Sequence, residues 1–402
     1  YTVKDTLSLH DALPIFPVRR SNRAYYGQCK RSHIFCKRLH YRISRLVMSN
    51  GRDGEGAAPP AGAAMKSQPT LEDVARLSGV STATVSRVFN TPARVRAETR
   101  ARVEAAVAQL GYTPHFGGRA LASNRTHTVG AVIPTMENAI FARGLQAMQE
   151  SLAEAGVTLL VATSNYDGAR EAAQIRALVG RGVDGLILIG EARDAAVYEM
   201  LERRGMPFVL VWSWRPDSPR TCIGFDNRAA ARRIAERVLE AGHREVAMIA
   251  GVTRDNDRAE ARVAGVRAAL AAWGVALARA RLVEAAYTLE DGAGAARGLL
   301  ALDPRPTAII CGNDVLAAGA MLAIREAGLA VPRDVSVTGF DDIELARLLD
   351  PPLTTVHVPH RRMGQCAAEL LLEMCAGASG AAGVELSAEL VERRSLAPPG
   401  AA

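Results

Sequence analysis

The chain has 402 residues, 49% of them apolar, 23% charged and only 5% aromatic, with a formal net charge of +7. That length allows two to four structural units around a large buried core, and the balance of apolar and charged residues excludes a disordered chain and a fibre. No uncharged apolar stretch is long enough to span a bilayer, so no membrane partner is expected. The six cysteines show no paired spacing, which points to a reduced, cytoplasmic chain.

The charge is unevenly spread. Residues 1–47 hold ten Lys/Arg against two acids and residues 65–127 hold nine against four, while 128–402 is net acidic. An acidic body carrying a basic segment of about sixty residues favours a polyanion partner for that segment alone. Residues 1–64 show no periodic apolar pattern and are expected to be an extension rather than a domain, with a Ser/Gly/Ala/Pro-rich linker at 49–64. The run 7–15 resembles translated adapter sequence, so 1–47 is expected to be an assembly artefact, with Met48 or Met65 as the start. Cys29, His33, Cys36 and His40 fit no zinc-ligand spacing, so no metal and no cofactor is expected. No apolar core followed by a small-residue cleavage site marks a secretory signal.

The informative chemistry begins at Thr70, a helix cap followed by Glu72 and Asp73 in the first turn. Val74, Ala75 and Leu77 give that helix an apolar side, and Ser78-Gly79-Val80 ends it. Ser81 caps a second helix with Val85 and Val88 on its inner stripe. A small Ala75, a turn glycine at 79 and valines at 80 and 85 describe a DNA-reading helix-turn-helix. The alternative is an ordinary helical hairpin. The outward face of the second helix decides against it: Thr82, Ala83, Thr84, Ser86, Arg87 and Asn90 are small or polar, with a single long donor. Such a face enters the major groove, where hydroxyls and amides bond phosphates and Arg87 takes guanine O6 and N7. A third helix is expected over 97–110, ended by Gly111, followed by an extended exit at 112–114 and a short segment around Leu121.

The motifs LEDVA at 71–75, GVS at 79–81, TVSRV at 84–88, LGYTP at 110–114 and ALA at 120–122 resemble the head piece and hinge of the LacI–GalR family of bacterial transcriptional regulators, and the match extends over about 70–396. The resemblance implies DNA contacts from Ser81, Thr82, Ala83, Thr84, Ser86, Arg87 and Asn90, and a hinge helix whose Leu121 wedges into the minor groove and kinks the duplex. Two departures concern the hinge and third helix: Gly117-Gly118 cost about 2 kcal/mol of helix propensity against alanine, and Arg96 stands where a capping Ser is usual.

From residue 128 the chain alternates apolar runs (129–134, 158–162, 185–189, 208–211, 246–250, 308–311, 335–339) with amphipathic helices (140–155, 168–181, 195–204, 228–241, 259–273, 313–327, 361–376). That alternation means parallel sheets with right-handed crossovers. The number of units predicts two interleaved α/β subdomains of the periplasmic-binding-protein type, with a ligand cleft at the carboxyl ends of the strands. The expected organisation is an extension at 1–64, an all-α helix-turn-helix domain at 65–113, a hinge at 114–127, and a ligand-binding and dimerisation body at 128–400. Residues following the strands are Asn138, Phe141, Trp212-Ser213-Trp214, Asp226-Asn227, Arg258, Arg262, Asn313-Asp314 and Asp341-Asp342. Carboxylates, amides, arginines and aromatics converging on a cleft suit a polyhydroxylated ligand such as a sugar or sugar acid. By the resemblance, Arg262, Asn313-Asp314 and Asp341 match effector contacts, whereas Trp212 stands where the family's lactose-responsive member carries an acid. The candidate effector site is therefore Asn138, Phe141, Trp212, Asp226, Arg262, Asn313 and Asp341. Asp226 and Asn313 equally suit helix caps, Arg262 a helix surface, and His357 and His360 structural roles.

Two other functions compete with this one. An enzyme lacks support: Gly292-Ala293-Gly294 with Gly298 is not a dinucleotide fingerprint, and the side chains of adjacent Asp341 and Asp342 should diverge. A periplasmic receptor would need export and would not carry 70–127. The expectation is a cytoplasmic, effector-responsive repressor, a homodimer on palindromic double-stranded operator DNA, with no enzymatic role.

Overall fold

The computed structural model describes residues 68–113, 125–378 and 382–400. The extension at 1–64 and the wedge residue Leu121 lie outside the described residues, as does most of the expected hinge.

The first three helices are α1 (Leu71–Ser78), α2 (Thr82–Asn90) and α3 (Ala97–Leu110), with a 3-10 turn at Pro92–Arg94. A reciprocal capping box starts α1: the Thr70 hydroxyl accepts from the Asp73 N–H at 3.3 Å, and the Asp73 carboxylate accepts from the Thr70 N–H at 3.0 Å. Gly79 then takes a left-handed φ of 68°, which a Cβ would oppose, and the chain reverses. Ser81 starts α2 by accepting from the Thr84 N–H at 3.2 Å. Arg96 precedes α3 without any side-chain cap, and Gly111 ends it in the left-handed region. Val74, Val85 and Val103 are fully buried together and close on Ala75, Val88, Ala106 and Tyr112. At roughly 1.5–3 kcal/mol for each buried valine, this small cluster is what holds three short helices that would not persist alone.

The body is built on two parallel sheets. The first has six strands in the order β11-β5-β4-β3-β1-β2: β1 (Thr128–Ile133), β2 (Thr158–Thr163), β3 (Gly185–Ile189), β4 (Phe208–Val211), β5 (Cys222–Gly224) and β11 (Val384–Glu385). The second has four in the order β7-β6-β8-β9: β6 (Val246–Gly251), β7 (Leu282–Ala285), β8 (Ala308–Cys311) and β9 (Ser336–Thr338). An antiparallel pair, β10 (Thr355–His357) with β12 (Glu389–Val391), completes the strands. Because β11 returns to the first sheet after β9 has closed the second, the chain passes between the two sheets more than once.

Helices α4 (Ala139–Glu154), α5 (Gly168–Gly180), α6 (Ala195–Arg203), α7 (Asn227–Glu240), α8 (Asp257–Ala272), α9 (Leu289–Leu300), α10 (Asp314–Glu326) and α12 (His360–Cys375), with the short α11 (Leu345–Leu348), make the crossovers. Strands β1 and β3 are buried along their whole length, which is why they read as continuous apolar runs. Helices α7 and α8 pack so closely that a Cβ on Gly265 would stand 2.2 Å from the Arg228 carbonyl oxygen. The strands that sequence patterning did not separate are β5, β7, β10, β11 and β12, all two to four residues long, and β7 is half exposed with Glu284 in it. Short edge strands carry too few residues to show a period.

Candidate functional site

On α2 the outward side chains follow from the burial of Val85 and Val88. Thr82, Ala83, Arg87 and Asn90 are exposed, and Thr84 and Ser86 are half-buried. The Ser81 and Thr84 hydroxyls lie 3.0 Å apart and the Asn90 amide donates to Ser86 Oγ at 3.1 Å, so the small polar groups are held on the helix and Arg87 alone projects far from it. This is a narrow, polar helix face of the width a major groove admits.

In the body, loops at the carboxyl ends of both sheets converge on a narrow cavity of about 20 Å³. The first sheet contributes Asn138, Ile140 and Phe141 after β1, Tyr166 after β2 and Trp212 after β4. The second contributes Asn256, Arg258 and Arg262 after β6, Tyr287 after β7, Asn313 after β8 and Asp341 after β9. Three of these, Tyr166 (φ 57°), Trp212 (φ 63°) and Asp341 (φ 104°), hold left-handed backbone conformations. Such conformations cost about 1–3 kcal/mol each and concentrate at functional sites.

Arg262 ties the floor together. Its Nε donates to Asn227 Oδ1 at 2.9 Å, its Nη1 to the Gly312 carbonyl at 2.7 Å and its Nη2 to Asp341 Oδ1 at 3.4 Å, while its guanidinium lies 3.7 Å over the Phe340 ring. Burial pushes the Asp341 carboxyl up to about 6, and the Arg262 charge only partly opposes this. Asp314 is also raised, by burial and by the Asp341 carboxylate beside it. Trp212 packs edge-on against Phe141 and donates from Nε1 to His360 Nδ1 at 3.2 Å. An indole N–H only donates, so the His360 proton is on Nε2, which is buried without a partner. Burial holds His360 neutral, its pKa depressed to about 3.

A second, more open cavity of about 610 Å³ is lined in part by Asp257 and Asn227. Ser213, Trp214, Arg215, Asp226 and Glu260 line it. Among the described residues no group of three His, Cys, Asp or Glu could hold a metal ion, and no helix is long and apolar enough to cross a membrane.

Residues 70–115 match the family model of bacterial regulatory proteins of the lacI family, and residues 235–396 match that of a periplasmic binding protein-like domain. The chain is 33% identical over 329 residues to the HTH-type transcriptional repressor PurR of Photobacterium profundum, covering 81% of this chain and 98% of that protein. The chain belongs to the LacI family.

Two solved structures of similar chains bear on this LacI-family protein. The lac repressor dimer bound to operator and the anti-inducer ONPF superposes with a TM-score of 0.73 at 28% identity, over 82% of this chain and 99% of that one. The transcriptional regulator CelR–cellobiose complex gives 0.61 at 32% identity, over 81% and 99%. The LacI-family architecture of helix-turn-helix and two-sheet body is thus present from Thr70 onward.

Of the effector residues expected from sequence, Asn138, Phe141, Trp212, Arg262, Asn313 and Asp341 line the smaller cavity. Asp226 does not: it accepts from the Ala229 N–H at 2.9 Å as the cap of α7 and faces the second cavity. Asp314 is also turned away, accepting from the Ile343 N–H at 2.8 Å and the Thr355 hydroxyl at 2.6 Å. Asn313 and Asn138 are caps and cavity residues at once. Asp341 and Asp342 do diverge, the latter binding Arg393 at 2.6 Å and His357 at 3.1 Å. Sequence reasoning missed Ile140, Asn256, Tyr166 and Tyr287. Tyr166 follows a recognised strand and was open to the same rule that found Trp212; Tyr287 follows β7, whose edge position hid it.

Proposed function

We propose that the protein is a transcriptional repressor that reads a palindromic operator as a homodimer and changes its operator affinity when a sugar-type small molecule fills the smaller cavity. The observation that carries this is the pairing, in one chain, of an exposed polar recognition face on α2 with an enclosed cavity whose walls come from both sheets. Ser81, Thr82, Ala83, Thr84, Ser86, Arg87 and Asn90 are assigned to the half-site, with Leu121 as the minor-groove wedge and 114–127 as the hinge. Such a head piece covers only a half-site, so two copies are needed. Leu322 and Leu348 are 37% and 81% exposed beside a groove lined by Ala318, Met321, Leu329, Val331 and Leu349, and this apolar face is assigned to the second copy. The similar lac repressor is a dimer on its operator, and the similar CelR is a complex with cellobiose. A protein that reads the chromosome of a bacterium works in the cytoplasm.

This reading implies a coupling between the cavity and the operator. A ligand touching both sheets stabilises the closed body by its differential affinity for that state, and closure sets the spacing of the two hinges. The test is selection of duplexes from a random library by the full chain. An enriched inverted repeat, with binding altered by a cavity ligand, is expected. Enrichment of no repeat, or of a single half-site, refutes the assignment.

A further inference from the structure

The cavity's two arginines are not equivalent. All three guanidinium nitrogens of Arg262 already donate within the protein, and its charge faces Asp341. Arg258, only 9% exposed, donates from Nη1 alone, to the Ile189 carbonyl at 3.3 Å and to Asp257 Oδ1 at 2.8 Å. Among the described residues its Nε and Nη2 make no hydrogen bond, although the side chain lines the cavity. Those two N–H groups form the side edge of the guanidinium, two parallel donors in one plane, which matches the two oxygens of a carboxylate. Neither nitrogen is among the buried unpartnered polar atoms, so this edge stays accessible and open to a ligand.

The surroundings favour a negative partner. Arg258 is the second residue of α8, in the first turn of a sixteen-residue helix, where the helix dipole favours negative charge. Asp257 offsets the charge from the far side, where its other oxygen accepts from the Glu191 N–H at 2.9 Å and its side chain faces the second cavity. Facing the smaller cavity are two guanidinium groups and one carboxylate, that of Asp341. The space itself is tight, about 20 Å³, so the lining side chains must part to admit a ligand larger than a water molecule.

We propose that the effector is a polyhydroxylated acid, such as an aldonic or uronic acid, whose carboxylate binds side-on to the Nε–Nη2 edge of Arg258 while Asn138, Asn313 and Asp341 take its hydroxyls. This rests on the reading of the cavity as a sugar-type effector site and narrows it to an anion. A phosphate group would need more donors than one guanidinium edge supplies, so a carboxylate is the better match.

The test uses the full chain and calorimetric titration with D-gluconate, D-glucuronate and D-galacturonate, set against D-glucose, D-galactose, glucose 6-phosphate and hypoxanthine. At least one acid is expected to bind a hundredfold more tightly than its neutral counterpart. Arg258→Gln should weaken that acid at least tenfold. Arg258→Lys keeps the charge without the planar edge and should weaken it by an intermediate factor, and it carries the test if the Gln variant does not fold. Tighter binding of a neutral sugar, the phosphate or the base overturns the carboxylate assignment but leaves an effector cavity. An acid bound equally well by either variant, or no acid bound, also overturns it. Operator selection by the same preparation reads the repressor assignment independently, so the two failures are distinguishable.

Discussion

Asp341→Asn tests the electrostatics of the cavity floor directly. In the folded chain burial raises the Asp341 carboxyl from an ordinary 3.8 to about 6, so the native state keeps this proton where the unfolded chain has lost it. The stability this proton confers is fully present below about pH 4 and is lost as the pH rises through about 6. Between pH 4 and pH 7 the loss amounts to ~2–3 kcal/mol. An asparagine keeps the shape and is neutral throughout. It leaves Arg262 with the Asn227 and Gly312 oxygens and removes the carboxylate that helps to raise Asp314. The stability of the variant relative to the parent should therefore increase by ~2–3 kcal/mol on going from pH 4 to pH 7. Denaturant titrations followed by tryptophan fluorescence measure this for the body, because all three tryptophans (212, 214 and 273) lie in it. The other carboxylates are common to both proteins and largely cancel in the difference, except Asp314, whose lowering once the Asp341 charge is gone adds in the same direction. A difference that stays flat from pH 4 to pH 7 would refute a raised Asp341 and the buried electrostatics built on it.

Arg87→Ala should weaken operator binding by ~1–3 kcal/mol per half-site and relax discrimination at one base pair, measured by anisotropy on matched and single-base-changed duplexes; unchanged discrimination removes α2 from the groove. Ser81→Ala removes the acceptor of the Thr84 N–H and should cost ~1 kcal/mol, seen as faster amide exchange along α2 at constant exchange in the body. Gly265→Ala places a methyl 2.2 Å from the Arg228 carbonyl oxygen and should destabilise the body by ~1–3 kcal/mol in the same fluorescence titration. Tolerance within about 0.5 kcal/mol would show that α7 and α8 can separate at little cost.

The sequence by itself determined whatever depends on neighbours along the chain. Thr70 and Ser81 cap because their hydroxyls reach N–H groups three residues on, and Gly79 turns because it alone lacks a Cβ. Strands β1, β3 and β6 were legible because both faces are buried, and the exposed face of α2 because its opposite face is apolar. Finding the cavity needed only the rule that loops after parallel strands converge. Which way each loop side chain turns was decided by tertiary structure. Asp226 and Asn227 are adjacent, yet Asp226 caps α7 and faces the second cavity while Asn227 holds Arg262 across 35 positions. Asn313 lines the smaller cavity while Asp314, one residue on, binds Thr355. Arg262 and Asp341 meet across 79 positions. Consecutive side chains leave a backbone in different directions, and only packing of the whole body fixes which of them meets the cavity. The same holds for Arg258: its charge is legible in the sequence, but its unused donor edge exists only because the Ile189 carbonyl and Asp257 hold the other end of the guanidinium.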